Sequence, residues 1–275
     1  MSELAAASPT PVASRPVHSA FYEPAGAGTF FATPATAGPW SAHAQHGGPP
    51  SAIVARELER HEQGEGQRLA RVTVDILRPV PLGKVSVSTR MVRPGRRVAL
   101  LEAVMEAGGR EVLHARGWRI AIPAGHVPVI PEAVPAPPIP AEQPEPTFSR
   151  AHTDGYLRAI EWRFLDGGFD EYAPGRAWTR PRIPLLTGEE ASPMCRALVV
   201  ADSGSGVGIA LDPAKFLSIN VDLTVVLTRD PASEWLLLES TTTIGEQGTG
   251  LAETTLSDPE GPCGRALQTL LVEPR

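Results

Sequence analysis

The pattern of hydrophobic and polar positions occurs twice along the chain. In each half, apolar residues at helical spacing are followed by segments in which apolar and polar residues alternate. In the first half, apolar Ile53, Val54, Ala55 and Leu58 recur at helical spacing and predict a helix over roughly 49–62. Four segments that alternate apolar and polar residues follow and predict strands: RLARVTVDILRPV, KVSVSTRMV, RVALLEAVME and EVLHARGWRI. The breaks PLG, RPG and AGG between them suit hairpin turns. This half therefore predicts one helix followed by an antiparallel meander.

The second half shows the same order. A predicted strand, GYLRAIEWRFL, and the segment RAWTRPRI lead into GEEASPMCRALVVADSGSG, which predicts a helix running to about Asp202. Four strand patterns follow: FLSINVDLTVVL, EWLLLESTTTI, GTGLAETTLSD and GRALQTLLV. The openings VTVDIL and INVDLT correspond and put Asp75 and Asp222 at equivalent places 147 residues apart. A repeat of this length indicates the duplication of one fold, since solenoid repeats are far shorter.

A proline-rich segment separates the two halves. Residues 123–149 contain nine prolines, which fix the backbone and remove donors, so we expect an extended connector there. The predicted organisation is a flexible N-terminal arm at 1–16, a domain at 17–122, the connector at 123–150 and a second domain at 151–275. A long helix on a curved antiparallel sheet, present twice, predicts an α+β protein with the hot-dog fold in double form. Joining the two sheets edge to edge would protect strand edges that otherwise invite aggregation.

Composition limits the classes of function. The net charge is −6 without a long run of either sign, which argues against a nucleic-acid partner. The N-terminus lacks the basic start and apolar core of a secretory signal, and the longest apolar runs are too short to cross a bilayer. We therefore expect a cytoplasmic protein without a membrane partner. Cys195 and Cys263 form no CxxC pattern and predict two reduced cysteines, partly buried.

Several short pieces resemble one known family. HGGPPSAIVA at the first helix, LRP at 77–79, the RPGR turn and GR before the last strand of the first half are similar to the acyl-CoA thioesterase II-like double hot-dog family. The resemblance covers about 25–275. It implies a thioesterase whose reactive residues lie in the C-terminal half: an Asp at the helix end, a hydroxyl on the next strand and a Gln on the last strand. Those positions fall on Asp202, Ser218 and Gln268, with Ser218 standing where a Thr is more usual.

These residue types suit thioester hydrolysis by water. Asp202 would act as the base, because a carboxylate close to the attacking water can accept its proton. Ser218 and Gln268 can donate and accept hydrogen bonds, which suits orienting that water. A thiolate is a good leaving group, so no covalent nucleophile is required. Each residue also has a structural interpretation: Asp202 as a helix terminator, Ser218 as an inert strand residue and Gln268 as a solvated side chain.

The junction before the first helix carries further candidates. His43 and His46 form an HxxH pattern with no third ligand at metal spacing, so we expect no metal site. His46 is instead a candidate pocket residue. Gly47 and Gly48 would permit close helix–sheet packing, and their N–H groups could also bind a thioester oxygen.

Arginines flank one predicted hairpin turn. Arg90, Arg93, Arg96 and Arg97 form either a solvated turn or a contact for coenzyme A phosphates, for which Arg93 and Arg96 are the candidates. The DSGSGVG stretch lacks the Lys of a phosphate loop. Asp75 and Asp222 are either paired across the junction of the halves or solvent-facing, and a structural role is favoured.

The leading hypothesis is a cytoplasmic acyl-CoA thioesterase that needs no cofactor and assembles as a possible homo-oligomer. Two alternatives stay open. One is a double hot-dog protein with a weakened catalytic centre that binds acyl groups or coenzyme A, or serves assembly. The other is a hot-dog hydratase or dehydratase, which usually relies on an Asp/His pair that the sequence does not reveal.

Overall fold

The secondary structure repeats one helix-and-meander order in each half. The computed structural model describes residues 18–62, 66–130, 135–149 and 151–275, so the predicted arm at 1–16 lies outside the described residues. The helices are α1 (Gly48–Arg60), α2 (Tyr156–Ala159), α3 (Pro193–Ala201) and α4 (Gly204–Val207). The strands of the first half are β1 (Tyr22–Gly26), β2 (Thr29–Ala32), β3 (Ala37–Gly38), β4 (Ser41–Gln45), β5 (Gln67–Ile76), β6 (Gly83–Arg93), β7 (Val98–Ala107) and β8 (Arg110–Ala121). Those of the second half are β9 (Ile160–Gly168), β10 (Glu171–Pro181), β11 (Phe216–Asn220), β12 (Asp222–Leu227), β13 (Leu236–Ile244), β14 (Thr249–Asp258) and β15 (Gly261–Pro274).

One antiparallel sheet runs through both halves. Its order is β1-β2-β6-β7-β8-β5-β12-β15-β14-β13-β10-β9, with β11 also paired to β15. The halves meet where β5 pairs with β12, and Asp75 lies directly opposite Asp222 there. The two aspartates are thus partners in the strand register across the junction, and the Asp75 side chain is exposed to solvent. The Asp222 carboxylate turns to β15, where it accepts hydrogen bonds from the N–H and hydroxyl of Thr269 at 2.6 and 3.2 Å.

Helices α1 and α3 lie antiparallel against each other and against the sheet. Both begin with signals that the sequence carries: Pro49 and Pro50 stand in the first turn of α1, and the Ser192 hydroxyl accepts the Cys195 N–H at the start of α3. At one end of the pair, Ser192 donates to Glu59 at 3.0 Å. Burial of the apolar faces of the two helices ties the halves together.

The opposite end of the helix pair requires glycine. A Cβ on Gly48 would lie 2.1 Å from the Val199 carbonyl oxygen, and a Cβ on Gly47 would lie 2.8 Å from an oxygen of Asp202. The double glycine of the first half thus brings the start of α1 against the end of α3. This contact positions the candidate site.

The described part of the connector forms neither helix nor strand and lies along the sheet edge at β9. The Gln143 side chain pairs with both main-chain groups of Phe164, donating to its oxygen at 2.9 Å and accepting its N–H at 2.8 Å. Arg163 also donates to the Pro140 oxygen at 2.7 Å. The connector therefore satisfies backbone groups of an edge strand that would otherwise be open to pairing with another chain.

Two local predictions differ from the structure. The segment GYLRAIEWRFL, predicted as a strand, begins with the helical turn α2 and becomes extended only at Ile160. Tyr156 and Leu157 are buried in that turn, and the Leu157 oxygen accepts the Trp162 indole N–H at 2.9 Å. Strands β1 to β4 lie ahead of α1, where the sequence predicted none, and β2 extends the sheet by pairing with β6. These short strands follow from tertiary pairing rather than from a local pattern.

Candidate active site

Three polar side chains converge on the carboxylate of Asp202. This residue directly follows α3, and its side chain is 4% exposed. Oδ1 accepts hydrogen bonds from Asn220 Nδ2 at 2.7 Å and from Gln268 Nε2 at 3.2 Å. Oδ2 lies 3.1 Å from Nδ1 of His46. A buried carboxylate with this many partners is a candidate reaction centre.

A β-bulge explains how Asn220 reaches Asp202. Asn220 pairs with Leu270 and Thr224 pairs with Leu267, so three residues of the β11–β12 strand face two residues of β15. The extra residue bends the strand and redirects its side chains. Asn220 then faces the helices, whereas Asp222 is bound to Thr269.

Gln268 is held at both ends of its amide. Its Nε2 donates to the Asp202 main-chain oxygen at 3.0 Å as well as to the carboxylate, and its Oε1 accepts the Ser205 N–H at 3.0 Å. The residue is 1% exposed. Because both amide atoms are satisfied, the orientation of the Gln268 side chain is fixed, and the solvent-facing interpretation is wrong.

His46 belongs to the same cluster, although it comes from the other half of the chain. Its main-chain N–H donates to the Thr36 oxygen at 2.8 Å, and its ring stacks on Tyr156 with a centroid separation of 3.6 Å and an angle of 5°. The Tyr156 hydroxyl donates to the Val199 oxygen at 2.8 Å and lies 2.8 Å from the Ser203 hydroxyl. Burial lowers the pKa of His46 from its ordinary value of 6.5, and the charge of Asp202 opposes that shift.

The start of α1 faces Asp202. The Gly48 N–H points at His46 Nδ1 at 3.2 Å, and Gly47 lies against the carboxylate oxygens. Pro49 and Pro50 have no N–H, so the first turn of α1 offers the N–H groups of Gly47 and Gly48. An N-terminal helix end is a favourable place for a carboxylate or an oxyanion.

Ser218 lies apart from the other two members of the predicted trio. It pairs with Val272, four residues beyond Gln268 on β15, which corresponds to about 13 Å along the strand. No hydrogen bond joins Ser218 to Asp202 or Gln268 within the described part of the chain. The structure thus brings Asp202 and Gln268 together and puts Asn220, two residues after Ser218, in contact with the carboxylate.

The predicted arginine contacts lie at the other end of α1. Arg93 donates to the Val98 oxygen at 2.9 Å, and the oxygen of Arg96 accepts from Gln67, which begins β5. His46 to Gly48 precede α1, whose 13 residues span about 20 Å. Arg93 and Arg96 are therefore separated from the glycines and His46 by about the length of α1, and their predicted contact with coenzyme A phosphates stays a prediction.

Sequence reasoning missed Asn220 and Tyr156. The signal for Asn220 was present, since strand alternation puts it on the same face as Ser218, but the bulge is not readable from the sequence. Tyr156 was hidden inside a predicted strand. His46 was identified, but its contact with Asp202 depends on two residues 156 positions apart in the chain.

The remaining chemistry of the described residues is limited. Cys195 and Cys263 are free and buried. Within the described ranges, no three His, Cys, Asp or Glu side chains are grouped to hold a metal ion. The described helices include none that is long and apolar enough to span a membrane.

Family comparisons agree with both halves of this arrangement. The acyl-CoA thioesterase N-terminal domain matches residues 36–120, and the acyl-CoA thioesterase C-terminal domain matches residues 131–272. The chain belongs to the acyl-CoA thioesterase family. The resemblance stated from the sequence is thereby confirmed. No curated protein sequence matches the chain closely.

Solved structures show the hot-dog fold. A hot-dog protein of unknown function from Alicyclobacillus acidocaldarius superposes with a TM-score of 0.70 at 18% identity, covering 89% of this chain and 93% of that one. A candidate thioesterase II from Thermobifida fusca YX gives 0.70 at 18% identity, with 91% and 96% covered. The acyl-CoA thioesterase II TesB2 of Mycobacterium marinum gives 0.62 at 13% identity, with 92% and 95% covered. These comparisons confirm the hot-dog fold that the sequence predicted.

Proposed function

We propose that the chain hydrolyses acyl-CoA thioesters to a carboxylic acid and coenzyme A, by direct attack of water at the Asp202 cluster. Family membership supports thioester chemistry. The observation that carries the proposal is the buried Asp202 carboxylate at the start of α1. Asn220 and Gln268 donate hydrogen bonds to this carboxylate at 2.7 and 3.2 Å. Such an arrangement can position a water beside a helix end that favours negative charge.

In this proposal the two halves are tandem hot-dog units that build the site jointly. The first unit supplies His46, Gly47 and Gly48, and the second supplies Asp202, Asn220 and Gln268. The single sheet supports this division, because its centre is the β5–β12 pair that joins the halves. One unit alone would lack either the carboxylate or the glycine-rich helix start.

The carboxylate cluster would position the attacking water. Asn220 and Gln268 both donate to Oδ1, which leaves Oδ2 and its neighbour His46 as the side that can take part in proton transfer. In the sequence-based mechanism Ser218 helps to orient the water. We assign that part to Asn220, because Asn220 touches the carboxylate. General-base help of this kind is typically worth about 10²–10⁴ in rate.

The thioester oxygen would bind at the start of α1. As the water attacks, the carbonyl oxygen becomes negatively charged and needs donors placed in advance. The N–H groups of Gly47 and Gly48 are the candidates, since Pro49 and Pro50 carry none. Side chains at 47 and 48 would also collide with Asp202 and with the Val199 oxygen.

Both cysteines are poor candidates for a covalent nucleophile, which supports direct attack by water. Burial raises the pKa of Cys195, and it raises the pKa of Cys263 to about 12. A thiol in such surroundings is a poor nucleophile, because the thiolate is the reactive form. The leaving group is itself a thiolate, which departs readily from the tetrahedral intermediate.

Release of free thiol from acyl-CoA substrates of several chain lengths tests this function. Asp202→Asn should reduce kcat by about 10²–10⁴, whereas the matched exposed variant Asp75→Asn should leave it unchanged. Coenzyme A binding without turnover of any substrate would favour the alternative of a binding or assembly protein. Equal turnover by wild type and Asp202→Asn would contradict the site.

A second candidate function gains support from the His46–Asp202 pair. Hot-dog hydratases rely on an Asp/His pair, which the sequence alone did not reveal, and the two side chains lie 3.1 Å apart. Hydration of an enoyl-CoA removes its conjugated double bond without releasing thiol. Loss of the enoyl-thioester absorbance with no free thiol would therefore indicate a hydratase.

A further inference from the structure

The buried side chain of Tyr156 touches both halves of the candidate site. Its ring stacks on His46, which belongs to the first half, and its hydroxyl binds Val199 and Ser203 on either side of Asp202 in the chain. Building on the proposed hydrolysis at Asp202, we infer that Tyr156 is a positioning residue, which sets the place of the Asp202 carboxylate relative to the start of α1. The family pattern of Asp, hydroxyl and Gln assigns this residue no part.

The short helix α2, which Tyr156 begins, is docked on the first half of the chain. A Cβ on Gly155, the residue before it, would collide with the oxygen and the Cβ of Ala37, so glycine permits this close approach. The His152 N–H also donates to the Pro39 oxygen at 2.9 Å. Tyr156 itself is 0% exposed. Its place is therefore fixed by backbone of the first half, although it belongs to the second.

The Tyr156 hydroxyl stabilises the end of α3. It lies 2.8 Å from the Val199 main-chain oxygen, which can only accept, so the phenol proton points to Val199. The phenol oxygen then accepts from the Ser203 hydroxyl, also at 2.8 Å. The last carbonyls of a helix lack partners within the helix, and this contact satisfies one of them. Because Asp202 lies between Val199 and Ser203, the two hydrogen bonds hold the turn from which its carboxylate projects.

The Tyr156 ring fixes the other side of the site through His46. The two rings are nearly parallel, with an angle of 5° and centroids 3.6 Å apart, so the imidazole is held on that face. In this orientation His46 Nδ1 accepts the Gly48 N–H at 3.2 Å. Gly48 begins α1, whose first turn is the proposed contact for the thioester oxygen. Tyr156 thus connects that helix start to the turn that carries Asp202.

This connection matters because the water and the thioester must be placed together. The carboxylate that takes the proton of the water and the donors that bind the carbonyl oxygen act on the same carbon atom. A misplacement of about 1 Å can cost about 10²-fold in rate. The phenol takes no part in proton transfer, since burial and the nearby charge of Asp202 raise the pKa of Tyr156. Its contribution is geometric.

Kinetics of Tyr156→Phe, which removes the hydroxyl and keeps the ring, test the inference. We expect kcat to fall about 10–100-fold with little change in KM, because the Asp202 turn loses both hydrogen bonds while the ring stack remains. Thr179→Val is the matched control: Thr179 is 0% exposed, and its hydroxyl donates to the Leu236 oxygen at 2.9 Å. This control should lower Tm as Tyr156→Phe does and leave kcat unchanged. Equal kcat in wild type and Tyr156→Phe, or an equal loss in Thr179→Val, would overturn the inference.

A double-mutant cycle with Ser203→Ala tests whether the hydroxyls act through their shared hydrogen bond. If they do, the loss of kcat in the Tyr156→Phe, Ser203→Ala double variant should be smaller than the product of the two single losses. A loss equal to that product would show that the two hydroxyls act independently and would overturn the inference.

Amide NMR tests the positioning without relying on turnover. We expect Tyr156→Phe to shift the amide resonances of Asp202 and Ser203, and Tyr156→Leu, which also removes the ring, to shift that of Gly48. Thr179→Val should leave all three in place. Unchanged Asp202 and Ser203 resonances in Tyr156→Phe would overturn the inference and leave the proposed function standing. Absence of turnover in wild type would overturn the proposed function, and the amide shifts would still decide whether Tyr156 positions Asp202.

Discussion

Asn220 and Asp202 meet at 2.7 Å, although one lies on a strand and the other ends a helix. The contact exists because the bulge between β11 and β12 turns Asn220 toward the helices and Asp222 toward Thr269. Without the extra residue, each side chain after Asn220 would point to the sheet face opposite to the one it now occupies.

Asn220→Ala should lower kcat by about 10–100-fold, since a hydrogen bond to a charged group is worth about 1.5–3 kcal/mol. Ser218→Ala is the matched change two residues earlier and should alter kcat by less than about threefold, an effect under 1 kcal/mol. Both variants are compared by steady-state thiol release. A larger loss in Ser218→Ala than in Asn220→Ala would return the orienting role to the hydroxyl.

Gly47→Ala should weaken both the fold and the reaction. The new Cβ would lie 2.8 Å from Asp202 Oδ2, and relief of such crowding costs about 1–3 kcal/mol. Chemical denaturation measures this loss in the free energy of unfolding, and thiol release measures the loss of activity. Gly125→Ala is the control, because a Cβ there meets nothing within 4 Å. A Gly47→Ala protein as stable and active as Gly125→Ala would show that α1 does not need to approach Asp202 this closely.

Gln268→Glu should be more damaging than Gln268→Ala. The substitution replaces the amide donor 3.2 Å from Asp202 with a second buried carboxylate, so one of the two must lose its charge or the cluster must open. We expect lower kcat and a lower free energy of unfolding at pH 7, with part of the stability recovered as the pH falls. Gln247→Glu, the same change at an exposed turn, should have little effect. Equal stability of Gln268→Glu and wild type at pH 7 would contradict the assigned contacts.

Glu59→Gln should stabilise the protein at neutral pH. Burial raises the pKa of Glu59 above its ordinary 4.5, because the charged form is poorly solvated between the helices. The folded state therefore binds this proton more tightly than the unfolded state does, and ionisation of Glu59 lowers stability as the pH rises above 4.5. The gain from Glu59→Gln should be present at pH 7 and vanish near pH 4 in thermal unfolding. A gain that persists at pH 4 would assign it to packing instead.

Neither cysteine should react with a thiol reagent in the folded protein. Cys195 and Cys263 are 1% and 0% exposed, and burial raises the pKa of both. After denaturation both should titrate at once. Rapid reaction of one thiol in the folded state would show that its element opens readily.

Local patterns in the sequence predicted the order of helices and strands, the resemblance to a family predicted Asp202 and Gln268 as site residues, and His46 was a candidate pocket residue. Glycine, proline and serine mark helix starts by their own backbone chemistry, and alternation marks strands, so α1, α3 and the long strands were predictable. Asp202 was placed at the end of its helix, and Gln268 on the last strand. Both positions depend on a few neighbouring residues.

The tertiary structure alone decided which side chains meet. The bulge selects Asn220 over Ser218, the glycine contact of α1 with α3 brings His46 to Asp202, and α2 supplies Tyr156 where a strand was predicted. Arg93 and Arg96 are separated from this site by the length of α1. A sequence pattern records the period of each element, whereas contacts between elements depend on register and close packing, which involve residues far apart in the chain.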